Sequence, residues 1–299
     1  MYDVVILTDR RYVNITEMST YKQHVLDEDN YVKKALEKEN LKVFRCSWDD
    51  PTFNWSSTQS VLFRTTWDYF DRFYEFSTWL NKVSTQTQLL NSERIIRWNL
   101  DKHYLLDLQK KGIAICESYF IEKGTKYSLK NLAETHNLND FVLKPCVSGS
   151  ARHTYRIHKE TIFKHEKIFS QLIEKEAMIL QPFQYNIIDK GEISIIIING
   201  KFTHAVLKIA KKGDFRVQDD FGGAVHSYSP SQKEIDFAEN AVKKCIEPPI
   251  YARVDLFTDN TNKLAIAELE LIEPELWFRN HPKAANHLAK KIKKQLKIK

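Results

Sequence analysis

The sequence predicts a three-lobed α/β chain, a small doubly wound lobe followed by two α+β lobes. Two patterns and one bound carry that expectation. Over residues 1–90, short apolar runs rich in β-branched residues alternate with helical stretches, the pattern of a parallel sheet covered on both faces. Further on, alternating strands pair around turn residues, above all Asn199-Gly200, a strong short-range hairpin signal. The chain's 299 residues, 42% hydrophobic and 28% charged, suffice for two or three cores at roughly 100–200 residues per domain.

In the first lobe, 1–90, Val4-Val5-Ile6-Leu7 is continuously apolar and reads as a buried parallel strand. A helix over 29–39, strands at 42–46 and 61–64 and a helix over 73–83 complete the alternation. Ligands of doubly wound sheets sit at the carboxyl ends of strands, which puts Arg64 and the loop Thr65-Thr66-Trp67-Asp68-Tyr69 in position to read a substrate. The second lobe, 91–183, carries helices over 100–111 and 162–175 and strands at 118–121, 141–145 and 177–183. The third, 184–299, opens with the hairpin 192–198 and 201–207, runs through a polar loop and a helix over 231–245, and pairs 251–257 with 263–271.

The formal charge is +6 and the pI about 8.9. Much of the excess lies near the C-terminus, where Lys290, Lys291, Lys293, Lys294, Lys297 and Lys299 are interleaved with Ile292, Leu296 and Ile298. Such a run can meet nucleic acid or anionic lipid, but the solvated face of a final helix accounts for it better, and no RNA-binding module accompanies it. Cys46, Cys116, Cys146 and Cys245 are scattered without C-x-x-C spacing, which argues against a zinc site and a disulfide framework and fits a reducing cytoplasm. The apolar run near Met1 is too short for a signal peptide, and no stretch reaches the roughly 18 apolar residues of a membrane span. A soluble, cytoplasmic protein is expected.

Three constellations can carry chemistry. Lys144 ends an apolar strand, where a charge needs an anionic partner, and the small residues Ser148, Gly149, Ser150 and Ala151 leave backbone N–H groups open to phosphate oxygens. A snorkelling lysine before a plain turn explains the same residues equally well, and neither a P-loop nor a G-x-G-x-x-G fingerprint is present. Second, period-two alternation puts Glu268 and Glu270 on one strand face, and pairing about 259–262 lets Asp255 approach it. Three hard oxygen donors so placed suit Mg²⁺; a solvated acidic strand edge is the bland alternative. Third, Arg216 lies in a loop, 213–224, closed by Gly222-Gly223, which suits an anion clamp or an ordinary surface loop.

Taken in order, Asp101-Lys102, Leu143-Lys144-Pro145, Ser148-Gly149-Ser150, Leu180-Gln181-Pro182-Phe183, Gly213-Asp214-Phe215-Arg216 and Ala267-Glu268-Leu269-Glu270 resemble the ATP-grasp superfamily, in its glutathione-synthetase-like and ribosomal-S6-modification-like branch. The likeness covers about residues 95–275. Arg64-Thr65-Thr66-Trp67-Asp68-Tyr69, the phrase Phe202 to Lys208 and Glu270-Leu271-Ile272-Glu273-Pro274 are more narrowly similar to the cycloserine-synthetase type, an O-ureido-serine cyclo-ligase. The resemblance implies an ATP-grasp fold, with a pre-ATP-grasp lobe and two subdomains clasping ATP.

It also implies roles. Lys102 and Lys144 would hold the phosphates, and Ser148, Gly149 and Ser150 would close over them. Gln181 and Phe183 would meet adenine through backbone amides, since Pro182 has none, and Glu192 the ribose. Asp255, Glu268 and Glu270 would hold Mg²⁺, two ions by family analogy, with Mn²⁺ as an alternative. Many members carry Asn where this chain has Glu270, which leaves the ion count open. Arg216 and Lys144 would offset charge on the transferring phosphoryl group, and Arg64, Asp68, Tyr69 and Glu273 would recognise a small amino-acid-like substrate.

The implied reaction is attack of a carboxylate or ureido oxyanion on ATP, then displacement of phosphate by an amine to give an amide or a ring. An intermolecular amino-acid or peptide ligase shares that ATP site. A non-catalytic nucleotide-binding regulator is the other alternative, against which three intact carboxylates weigh. Nucleic acid and membrane are poor fits as partners, and a homodimer is left open.

Overall fold

The computed structural model describes residues 1–211, 213–216 and 222–297. Part of the loop expected to carry the Arg216 clamp, 217–221, and the tail residues Ile298 and Lys299 lie outside the described residues.

The first lobe contains β1 (Tyr2–Thr8), α1 (Thr20–Lys38), β2 (Val43–Ser47), β3 (Thr58–Thr65), α2 (Phe73–Val83) and β4 (Gln88–Leu90). Its strands are parallel in the order β2-β1-β3-β4. Val4, Val5, Ile6 and Leu7 are wholly buried, as a centrally placed strand covered on two faces requires. Helix α1 begins earlier than the expected 29–39, at a Ser19 cap whose side chain accepts from the Lys22 amide. Its buried stripe includes Glu28 and Asp29 beside Val25 and Val32, and those two carboxylates break the apolar period.

The second lobe contains α3 (Glu93–Asn99), α4 (Tyr104–Lys110), β5 (Tyr119–Ile121), α5 (Leu129–Thr135), β6 (Asp140–Pro145), β7 (Tyr155–His158), α6 (Glu166–Ile173) and β8 (Met178–Pro182). The sheet is antiparallel, β5-β8-β6-β7. The helix expected over 100–111 begins only at Tyr104, after a break from α3, a helix not expected, which ends at Asn99. The Asp101 carboxylate accepts from the His103 amide at 3.0 Å, a local side-chain bond that competes with helical pairing, and the break leaves Lys102 at the joint.

The third lobe contains α7 (Asn186–Lys190), β9 (Glu192–Ile198), β10 (Lys201–Ile209), β11 (Ala224–Tyr228), α8 (Gln232–Lys243), β12 (Tyr251–Thr258), β13 (Leu264–Glu270) and α9 (Lys283–Leu296), with sheet order β11-β10-β9-β12-β13. Asn199 and Gly200 both adopt positive φ, 52° and 73°, as the tight turn of a two-residue hairpin demands. The basic tail forms α9. Its Ala284, Ala285, Leu288, Ala289 and Ile292 are buried in one core with Val32 and Leu36 of α1 and Ile196 and Val206 of the third sheet. The lysines occupy what that packing leaves outside. Among the described residues, no helix is long and apolar enough to cross a membrane.

Candidate active site

One cleft is lined from all three lobes. From the second lobe, the alternation of β6 buries Phe141, Leu143 and Pro145 and turns Val142 and Lys144 to the cleft. Burial lowers the affinity of the Lys144 ammonium for its proton, and the charge of Glu268 opposes that effect. Lys102, at the helix joint, is held over β13 because Asn99 bonds the backbone of Leu269 and Leu271 and Tyr104 accepts from the Leu269 amide. Its ammonium reaches a Glu268 carboxylate oxygen at 2.9 Å and the Ser148 carbonyl at 2.6 Å.

The third lobe supplies the carboxylates. Asp255 lies directly across from Glu268, and Arg253 from Glu270. Asp255 accepts from Ser194 at 2.5 Å and from Arg253 at 2.8 Å, with Lys208 at 3.4 Å. Burial alone would raise its pKa, but Arg253 and Lys208 hold it down at about 2. Glu268 is likewise pushed up by burial and brought below the ordinary range by Lys102 and Lys144. Glu270 ion-pairs with Arg253, yet burial, together with Glu268 and Asp255 beside it, pushes its carboxyl up to about 7. Glu273 rises to about 8 through burial and the neighbouring Glu270, and it hydrogen-bonds Tyr69. Among the described residues, six carboxylates line the cleft (Glu192, Asp255, Glu268, Glu270, Glu273 and Glu275), facing Lys102, Lys144, Lys208, Arg216 and Arg253.

This donor set fits Mg²⁺. The carboxylates are adjacent by strand register, all three expected ligands are present, and lysine and arginine cations already occupy their oxygens. Like charges held this close are what a divalent cation relieves.

The cleft brings together Lys102, Lys144, Ser148, Gly149, Ser150, Gln181, Phe183, Glu192, Arg216, Asp255, Glu268, Glu270, Tyr69 and Glu273. Gly149 packs against the first lobe so closely that a Cβ there would meet the Phe70 ring at 2.5 Å. Glu192 pairs with Lys208 at 2.5 Å, and Arg216 with Asp214 at 2.6 Å. The Gln181 side chain donates to Ser118, and the Phe183 amide donates to the Asp140 carbonyl at 2.9 Å. Of the two amides flanking Pro182, that of Phe183 is therefore already committed, contrary to expectation.

Two expected substrate residues do not reach the cleft. Arg64 is 1% exposed, with the Phe278 ring 5.6 Å from its guanidinium and its charge acting on Asp29 and Glu28, because its turn of β3 faces α1. Asp68 accepts from the Trp48 indole at 2.7 Å and from Arg72 at 2.9 Å, and so braces its own loop.

The sequence reading gave no role to Lys208, Arg253 or Trp277. Of these, Arg253 carried a signal. Arg253 shares the Asp255 face by alternation, but the Asn-Gly hairpin by itself would pair Glu192 with Leu207, and only a bulge between Phe202 and His204 shifts the register so that Lys208 lies opposite Glu192. Trp277 offered none. It lies under both cations, with the Arg253 guanidinium 5.3 Å and the Lys208 ammonium 6.0 Å from its ring.

Residues 4–91 match the family model described as D-cycloserine synthetase DcsG, N-terminal domain. Residues 120–256 match the prokaryotic glutathione synthetase ATP-grasp domain. The chain is 27% identical over 272 residues to the cycloserine biosynthesis protein DcsG of Streptomyces lavendulae, covering 84% of this chain and 88% of the relative. The crystal structure of D-cycloserine synthetase DcsG superposes with a TM-score of 0.86 at 23% identity, over 98% of this chain and 99% of that one. The ATP-grasp ligase PsnB, solved with a phosphomimetic variant of its minimal precursor, Mg and ADP, superposes at 0.63 with 13% identity, over 99% of both chains.

Proposed function

Because this chain is an ATP-grasp ligase, we propose that its cleft takes ATP with Mg²⁺ and a small amino-acid-like substrate, activates a carboxylate or ureido oxyanion on that substrate, and closes a ring through the substrate's own amine. The observation that carries this reading is the register of β12 on β13, which sets Asp255 beside Glu268 and Arg253 beside Glu270 in the cleft that Lys144 lines.

Lys102 and Lys144 bind the phosphates, with the 148–150 loop above them, and Gln181, Phe183 and Glu192 line the nucleoside end. Asp255, Glu268 and Glu270 hold the divalent ions, two in number, which supply Lewis-acid neutralisation of phosphate charge when bound. Lys208, Arg216 and Arg253 offset negative charge on the transferring group, and burial makes Lys208 and Arg253 count for more than they would in water. Tyr69 and Glu273 hold the substrate against the first lobe. With both reacting groups in one molecule, proximity comes from the substrate itself. The first lobe, 1–90, serves the substrate, and 91–183 and 184–299 clasp the nucleotide, in a cytoplasmic enzyme. The extent of the match to the cycloserine-synthetase N-terminal domain supports ring closure over joining two molecules.

An ADP-release screen across amino acids, with O-ureido-serine included, tests the proposal. Release with O-ureido-serine alone, together with a cyclic product, is the expected result. Release that requires a second, amine-bearing substrate assigns an intermolecular ligase, and ATP binding without turnover by any of them assigns a regulator.

A further inference from the structure

Beside Lys102, outside the cleft lining, lies a second group of metal-type donors. Asp101 and His103 flank that lysine in sequence, and the end of β6 brings in Cys146, buried at 1% exposure, through a bond from the Lys102 amide to its carbonyl at 3.0 Å. One ligand atom from each of the three lies within 4.8 Å of the others.

The histidine ring lies between two carboxylates, one on each nitrogen. Its Nδ1 faces the Asp101 carboxylate at 2.5 Å, its Nε2 faces Glu122 at 3.2 Å, and its ring is packed 4.5 Å from that of Phe120. Both carboxylates can only accept, so each ring nitrogen donates to one of them; a metal ion would take the place of the proton that Nδ1 now gives to Asp101, while Glu122 on the far nitrogen would go on orienting the ring, a recurrent outer-shell device of metal sites. An Asx turn accounts for the Asp101 bond to the His103 amide; it does not account for an imidazole held between two carboxylates and beside a buried thiol. The sequence spacing of the cysteines hid this group, because one ligand comes from the helix joint and another from a strand end.

We propose that Asp101, His103 and Cys146 form a binding site for a soft divalent cation of the Zn²⁺ class, with water completing a four-coordinate shell and Glu122 orienting the histidine. One oxygen, one nitrogen and one sulfur donor are the mixture such an ion accepts, whereas the all-oxygen set in the cleft suits Mg²⁺. Ligand atoms around a tetrahedral Zn²⁺ are about 3.3 Å apart, so the histidine and aspartate open slightly and the thiol closes in. The ion would tie the 101–103 segment to the strand that leads to Ser148, the same two segments that the Lys102 ammonium bridges through the Ser148 carbonyl.

Co²⁺ titration of the chelator-stripped, full-length protein, in excess Mg²⁺ to fill the carboxylate cluster, tests this directly. The expected result is one equivalent of Co²⁺ with a near-ultraviolet thiolate charge-transfer band and the intense visible absorption of a four-coordinate ion. C146S should abolish the charge-transfer band, H103A should weaken binding at least about tenfold, and E122Q should weaken it about tenfold. A wild-type spectrum without a thiolate band, a band that survives C146S, or H103A binding Co²⁺ as tightly as wild type would each overturn the site. None of these readouts depends on which substrate the cleft takes.

Discussion

Two buried charge clusters, one inside the first lobe and one in the cleft, use the same residue types to different ends. In the first, Asp29 is 1% exposed and takes Arg45 at 2.6 Å, while Arg45 also donates to the Tyr12 carbonyl and Arg64 adds its charge. Burial raises the Asp29 pKa, Arg45 and Arg64 oppose it, and none of its ion-pair residues lines the cleft. In the second, neighbouring carboxylates add to burial at Glu270 and Glu273. The first cluster is closed off from the cleft, although Asp29 Oδ1, Arg45 Nη2 and two Arg64 nitrogens in it make no hydrogen bond. A row of carboxylates held side by side at a cavity wall calls for further positive charge, and that is the physical mark of a ligand site.

The contrast can be broken most forcefully by removing charge from each cluster in turn. Glu268→Ala with Glu270→Ala should lower ADP release per folded molecule by at least about 10³-fold, since metal binding is lost, and should also cost some stability because Lys102 and Arg253 lose their partners. Loss of folding instead would make the cleft cluster a structural device. Asp29→Ala should do the converse. It strands the Arg45 and Arg64 guanidiniums and should cost about 3–5 kcal/mol in denaturant unfolding, with turnover per folded molecule retained.

A smaller effect tests sealing with a neutral group. His204 is buried, donates its Nε2–H to the Leu276 carbonyl at 2.8 Å and stacks on His281. Burial depresses its pKa to about 4, from 6.5. Between those values the unfolded chain holds the extra proton, so this group's contribution to stability falls as pH drops from 6.5 toward 4, by roughly 2–3 kcal/mol. Unfolding curves at pH 7 and pH 5 should show a steeper acid loss for wild type than for His204→Gln; equal losses would mean that the ring is charged in the folded state. Smallest of these effects, Gly149→Ala should raise the KM for ATP about tenfold through the Phe70 contact, and Phe70→Leu in the same chain should recover most of that loss.

What could be read in advance followed from periodicity. Three of the four parallel strands and both hairpins of the third lobe announced themselves by apolar runs, alternation and Asn199-Gly200, and alternation alone set Glu268 and Glu270 on one face. Short elements escaped. Strand β7, edge strand β11 with its largely exposed residues, and helices α5 and α7 hold too few apolar positions to show a period. Arg64 and Asp68 were expected at the cleft because a strand's end is visible in sequence, but the side its last residues face depends on what packs there. Lys208 and Arg253 were missed for the opposite reason, since a cation between apolar residues reads as ordinary until its cross-strand neighbour is known. Cys146 and His103 lie far apart in sequence, and only the break between α3 and α4 brings them near.

The central claim is that the basic strand end of the second lobe and the carboxylates of the third hold one nucleotide with its divalent ions. Equilibrium binding of ATP by calorimetry, with Mg²⁺ and with EDTA, in wild type, Lys144→Ala and Asp255→Asn, tests it most directly. The account predicts Mg²⁺-dependent binding in wild type, at least about tenfold weaker affinity in Lys144→Ala, and loss of the Mg²⁺ dependence in Asp255→Asn. ATP bound equally well by all three proteins, with or without Mg²⁺, would contradict it.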